Sequence, residues 1–321
     1  MPAANFEVPQ VVGPYKVTKI IGRGAFAVVA LGINEKTEEK VALKVIDRAA
    51  MMNTNSLQYI EAELRLSTRF NHPSIVKIYD VFYLPQYIVI AMEYLPNNNL
   101  ISHIVDGVFF TYQEKIELLT KVLEGMEYLH SKNIAHRDIK PENILFDANF
   151  QPKLIDFGLS CENADAMTTF CGTVQYMSPE MIRNNSYNAL KADIWAFGVT
   201  AHLFITKEFP WMFTSDAKHI DNIKTGKLQL NNICGSNIGK IIEKCLEFDP
   251  EKRPTARELL QMFNSSECLK TRARNALSDK IIVPKLTPQR FQIKTHSEGR
   301  ISSNGFSHSH PTFRVRSAPA F

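Results

Sequence analysis

With 321 residues, 45% of them apolar and 22% charged, the chain can bury one large core or two smaller ones facing a crevice. No apolar run approaches the roughly 18 residues that span a bilayer, and Met1-Pro2-Ala3-Ala4-Asn5 has neither a secretory signal nor the glycine that myristoylation needs, so a cytoplasmic or nuclear address is expected. The net charge of +4 is uneven: residues 271–321 hold nine Lys or Arg against two Asp or Glu, which puts +7 on the tail and −3 on the remainder. A solvated basic tail is the expectation, without specific nucleic-acid binding.

Five cysteines, Cys161, Cys171, Cys234, Cys245 and Cys268, contain no C-x-x-C pair, which argues for reduced thiols and against a zinc site. Residues 15–47 alternate apolar and polar groups, are rich in Val and Ile, and turn at Asn34-Glu35-Lys36-Thr37, the pattern of antiparallel strands. A helix is predicted over 56–70 from Leu57, Ile60 and Leu64, ending at Asn71-His72-Pro73. Two more strands are predicted over 75–82 and 87–92. Beyond Pro96-Asn97-Asn98-Asn99 the period becomes helical, first over 112–130 with Ile116, Leu119, Leu123, Met126 and Leu129 on one stripe. Further helices are predicted over 191–205, 237–246 and 255–263. The expected fold class is therefore α+β and bilobal: a small antiparallel sheet lobe with one main helix (15–95) and a larger helical lobe (96–268). An extension (1–14) precedes them, and a basic, Ser/Thr-rich tail without periodicity (269–321), predicted to be disordered, follows.

Several short motifs carry chemistry. Gly22-Arg23-Gly24-Ala25-Phe26-Ala27 approximates G-x-G-x-x-G, a spacing that dinucleotide-binding folds share, and Asp47 mimics their ribose-binding acid. Those folds need a helix after the glycines, whereas Val28-Val29-Ala30-Leu31-Gly32-Ile33 favours a strand, so a strand-loop-strand over phosphates fits better. Val41-Ala42-Leu43-Lys44 places an amine in an apolar strand. Ala135-His136-Arg137-Asp138-Ile139-Lys140-Pro141-Glu142-Asn143 groups proton-accepting, cationic and amide side chains, and Asp156-Phe157-Gly158 follows it.

In this order and spacing the motifs resemble the eukaryotic serine/threonine protein kinase family, and more loosely its calcium/calmodulin-dependent and AMP-activated groups. The resemblance implies transfer of the γ-phosphoryl group of ATP, with Mg²⁺, to Ser or Thr hydroxyls of protein substrates by a monomer. It assigns Asp138 to the substrate hydroxyl, Lys140 to the transferring group, and Lys44 to the α- and β-phosphates. Lys44's partner would be Glu63, nine residues before His72; Glu61, about 200° round the helix, is the competing candidate. Asn143 and Asp156 would hold the metal. ATP would be bound by Ile21, Gly22, Arg23, Gly24, Ala25, Phe26, Ala27, Val29, Ala42, Met92, Glu93, Leu95 and Leu145. In that loop Ala27 stands where the family has a third glycine, and Gly158 would permit the turn after Phe157. Thr169 is the implied phosphorylation site, paired to Arg137. Glu142 hints at basic residues upstream of the target. Asp193 would steady the catalytic loop and Arg253 pair with Glu180. Arg314-Val315-Arg316-Ser317-Ala318-Pro319 has the form that phosphoserine-binding adaptors recognise at Ser317. The alternative is a kinase-like scaffold that binds protein partners with little catalysis; it predicts damage at Lys44, Asp138 or Asp156, and all three are intact.

Overall fold

The structure is a computed structural model that describes residues 6–24, 27–49, 64–66, 68–169, 171–231 and 237–265. A six-stranded antiparallel sheet forms the first lobe: β1 (Val11–Val12), β2 (Tyr15–Arg23), β3 (Ala27–Asn34), β4 (Lys40–Asp47), β5 (Ile78–Tyr83) and β6 (Tyr87–Glu93), in the order β1-β2-β3-β4-β6-β5. Alternation along β4 sorts its residues. Val41, Leu43 and Val45 enter a core with Val12, Tyr15, Val89 and Ala91, which leaves Ala42 and Lys44 to the opposite face. The register continues that face across the sheet, with Val29 opposite Lys44 and Met92 opposite Ala42.

Two expectations for this lobe need adjustment. The fifth strand begins at Ile78 rather than at residue 75, because residues 74–76 leave the sheet to pair with Leu154 of the other lobe. Leu154 N donates to Ser74 O (2.8 Å) and Val76 N to Leu154 O (3.0 Å). Of the helix predicted over 56–70, residues 64–66 are helical and 68–69 form a turn; residues 56–63 lie outside the described residues.

The second lobe contains seven described helices: α1 (Leu100–Val105), α2 (Tyr112–His130), α3 (Pro179–Arg183), α4 (Ala189–Thr206), α5 (Asp216–Lys224), α6 (Asn237–Cys245) and α7 (Ala256–Phe263). Helix α2 starts where Thr111 and Glu114 form a reciprocal capping box, and its apolar stripe faces the core. Helix α4 is buried nearly all round, and a Cβ on its Gly198 would lie 2.7 Å from Cys245 Cβ, so α6 crosses it closely there. Four short strands, β7 (Ile134–Ala135), β8 (Ile144–Phe146), β9 (Pro152–Leu154) and β10 (Cys161–Glu162), pair as β7-β10 and β8-β9 on the side facing the sheet lobe. One apolar cluster runs from Leu66 and Phe70 through α2 and α4 to Phe263 and fills this lobe.

A buried ion pair fixes the far side of the helical lobe. Arg253 Nη1 and Nη2 donate to the two carboxylate oxygens of Glu180 at 2.6 and 2.7 Å, and its Nε donates to Glu247 O at 2.7 Å. Its side chain is fully buried and stacks over Trp195. Removing one partner leaves an uncompensated charge, so Arg253→Met is expected to cost about 3–5 kcal/mol of unfolding free energy in urea titration. Pairing it with Glu180→Leu recovers most of that loss, whereas no recovery would show that the pair's charges are not what matters.

Candidate active site

Where the lobes meet, β2, β3, β4 and β6 roof a cavity of about 500 Å³ that is floored by Leu145 of β8 and by Ile155-Asp156 beyond β9. Ile21, Gly22, Val29, Ala42, Lys44, Met92, Glu93, Leu95, Leu145 and Asp156 all line it. The aliphatic members give apolar walls for a flat ring, and Lys44 with Asp156 supplies charge at one end.

Arg23 and Gly24 sit beyond the lining at the tip of β2, where Gly24 N donates to Ala27 O (2.8 Å). Ala27 does not line the cavity either: it is buried against Ile46, Ile88 and Ile90 under the sheet. Ala25 and Phe26 lie outside the described residues, as do Glu63, Glu61 and Ser317. Val76, Asn99, Ser102 and Ile155 also line the cavity, outside the set of ATP-binding residues that the resemblance implies. Ile155 had a readable signal in its place immediately before Asp156.

Lys44 and Asp156 come from opposite lobes and meet at Nζ–Oδ1 3.2 Å, with about a tenth of each side chain exposed (9% and 11%). Burial by itself pushes the Asp156 carboxyl upward. The Lys44 ammonium, assisted by His136 and Lys140, outweighs it, so the carboxyl sits below its usual range.

A second charged group forms the floor. Asp138 lies 2.9 Å from Lys140 Nζ and accepts from Asn143 Nδ2 at 2.8 Å and from Thr173 Oγ1 at 3.2 Å. Lys140 Nζ also donates to Thr173 Oγ1 at 2.9 Å, so Thr173 links the Asp138 carboxylate to the Lys140 ammonium. The β8-β9 ladder then joins the groups: Ile144 opposes Leu154, and Ile155 N donates to Asn143 O (3.1 Å), so Asn143 lies beside the chain that carries Asp156.

The backbone here is held under strain. Arg137 and Asp156 adopt left-handed conformations (φ 66° and 61°), which cost side-chain-bearing residues about 1–3 kcal/mol each. The left-handed residue of Asp156-Phe157-Gly158 is Asp156, and the expected turn after Phe157 follows at Gly158-Leu159, closed by Ser160 N donating to Phe157 O (3.0 Å) without a positive φ at Gly158. Asp193, buried in the first turns of α4, offsets the strain at Arg137. Its carboxylate accepts from His136 N and Arg137 N, both at 2.8 Å, and hydrogen-bonds His130 Nε2 at 3.1 Å. His136 Nε2 in turn donates to Ile155 O (3.0 Å), and its ring packs on Phe157 at 5.0 Å. The side chain of Arg137 reaches Thr169, donating to its carbonyl (2.8 Å) and to its hydroxyl, and donates to the Tyr187 hydroxyl at 3.1 Å.

The three described cysteines, Cys161, Cys171 and Cys245, are free thiols, and burial pushes Cys171 up to about 11. No helix among the described residues is long and apolar enough to cross a membrane.

A sheet lobe and a helical lobe enclosing paired charges in this way define a bilobal phosphotransferase fold. The family model for the protein kinase domain matches residues 15–263, and the chain belongs to that family. It is 32% identical over 252 residues to the probable serine/threonine-protein kinase MARK-A of Dictyostelium discoideum, covering 78% of this chain and 24% of that protein. It is 31% identical over 258 residues to CBL-interacting serine/threonine-protein kinase 12 of Arabidopsis thaliana (78% and 52%) and 30% identical over 262 residues to serine/threonine-protein kinase SIK2 of Gallus gallus (81% and 33%). The matched stretch thus spans between about a quarter and a half of these relatives.

Proposed function

We propose that the chain is an ATP-dependent serine/threonine protein kinase whose domain spans residues 15–268. The observation that carries this reading is the convergence of Lys44-Asp156 with the Asp138-Lys140-Asn143 group in one crevice. Lys44 binds the α- and β-phosphate oxygens of ATP, with Glu63 as its expected partner. Asp138, fixed by Asn143 and Thr173, orients the substrate hydroxyl and accepts its proton, and Lys140 neutralises charge on the transferring group. Ile21, Val29, Ala42 and Leu145 sandwich the adenine, Met92 closes the back of the slot, and the 93–95 backbone bonds the ring edge.

Asn143 and Asp156 fit a Mg²⁺ ion. The Asn143 amide donates through Nδ2 while its Oδ1 is buried with no hydrogen-bond partner among the described residues, a hard oxygen whose desolvation a cation would offset. Held by Asn143 and Asp156, a metal ion would supply positive charge that offsets the charge of the phosphates. Thr169 is the proposed activating phosphorylation site, supported by its contact with Arg137. A cytoplasmic or nuclear setting, a monomeric state and an adaptor site at Ser317 belong to the same reading and rest on the sequence.

Transfer of labelled phosphate from ATP to a generic protein tests the reading. Asp138→Asn should lower kcat by about 10²- to 10⁴-fold with the fold intact, and a chain ending at Lys270 should retain transfer. Equal rates for wild type and Asp138→Asn would refute the assignment.

Glu142 supplies a test of substrate choice. Its Oε2 is buried without a partner among the described residues, and burial raises the carboxyl above its ordinary range. An upstream arginine on the substrate would pair with the ionised form, so that preference should weaken as pH falls through the raised pKa. Comparing KM for peptides with and without upstream Arg across pH checks this, Glu142→Gln being expected to abolish the difference. A preference that persists in Glu142→Gln would place the recognition elsewhere.

A further inference from the structure

The segment that follows Phe157 carries a carboxylate that is held from the other lobe. Glu162 ends β10, whose register with β7 (Cys161 opposite Ala135, Glu162 opposite Ile134) lays this segment against the strand that leads into His136-Arg137-Asp138. Both oxygens of Glu162 are engaged: Oε2 by Arg65 Nη2 at 3.1 Å and Oε1 by Arg69 Nη1 at 3.2 Å. Arg65 stands in the helical stretch 64–66 and Arg69 in the turn after it, immediately before Phe70. Phe70 packs on Phe157 at 4.9 Å. The same end of the sheet lobe therefore touches the segment twice, through an aromatic contact inside and a charged one outside.

Two further anchors hold the segment downstream. Asp165 accepts from Asn133 Nδ2 at 3.0 Å, and Thr169 is bound by Arg137 and by the Tyr187 hydroxyl, which donates to the Thr169 carbonyl at 2.9 Å. None of these contacts uses a phosphate. The charge that fixes the segment to the sheet lobe is a permanent one, built into the chain at Glu162.

We propose that Glu162 is a positioning residue: clamped between Arg65 and Arg69, its carboxylate orders the segment after Phe157 and keeps Asp156 aligned with Lys44 before Thr169 is modified. Thr169 phosphorylation then adds to an assembled site and does not create it. The effect on rate rests on the kinase reading, whereas the ordering does not. The arginines are largely exposed (62% and 66%) and Glu162 less so (30%), so each pair is individually weak and screened by salt. The clamp therefore acts on local opening of the segment and leaves global stability nearly unchanged.

Hydrogen exchange of the amides of residues 158–169, measured without nucleotide, reads the clamp directly. Glu162→Gln should raise their exchange about three- to tenfold, while the unfolding midpoint stays where it was. The charge-swapped protein, Glu162→Arg with Arg65→Glu and Arg69→Glu, should restore protection, and Thr169→Ala should leave protection around Glu162 in place. Salt at about 1 M should erase the difference between Glu162→Gln and wild type. In turnover, kcat should fall in parallel with the lost protection and KM for ATP move less than about twofold, a split that a general loss of structure would not give. Wild-type exchange in Glu162→Gln, or lost protection that the charge swap fails to restore, would overturn the proposal. If the wild type transfers no phosphate at all, the kinase reading falls, and the exchange experiment still decides the clamp.

Discussion

The contact between Lys44 and Asp156 joins two halves of the molecule that are 112 residues apart in the chain. Both groups are taken out of water to make it, so the net stability gained is small even at 3.2 Å. What the pair provides is position. Lys44 is aimed into the crevice by the alternation of β4, and Asp156 is delivered by the β8-β9 ladder from beneath. A cationic and an anionic group held in place from both lobes present a polar environment that is already organised for a charged ligand.

That arrangement depends on a rigid floor, and the floor depends on Asp193. The carboxylate satisfies two consecutive backbone amides at a residue, Arg137, whose left-handed conformation would otherwise relax. Helix α4 can hold Asp193 still because nearly all of its faces are packed. The inner contact of Phe70, Phe157 and His136 continues the same support upward, linking the sheet lobe to the loop that carries Asp138 through three touching rings. Strain in the loop and burial in the helix are thus two parts of one device.

How much of this could be read from the residues varies with the range of the interaction. The span of α2 was legible to the residue, because 19 residues give five turns of apolar stripe and Thr111 and Glu114 mark the start. Helices α1, α3 and α5 were missed: six and five residues give too few turns for a period to stand out in the first two, and α5, although as long as α6, buries only His219 and Ile223 and so shows no apolar stripe. The strand start at residue 75 went astray because Ile75 and Val76 are good strand residues that pair with Leu154 instead, a tertiary preference that local pattern does not record. The site motifs were legible as a set, since their chemistry is carried by residue type and order. Ala27, buried beneath the sheet, and Thr173, bridging Asp138 and Lys140, depend on packing that spacing leaves open. The partners of Glu162 were beyond reach for the same reason, Arg69 lying 93 residues upstream.

Titration calorimetry of Mg²⁺-ATP into the wild type, Lys44→Met and Asp156→Asn, with unfolding midpoints measured alongside, bears most directly on the central claim. The account predicts saturable binding by the wild type that is weakened at least about tenfold in each variant at temperatures where that variant is still folded, even though the charge left unpaired lowers its midpoint, because the pair organises the site. Undiminished nucleotide binding in both variants would contradict it, as would binding losses that merely track unfolding.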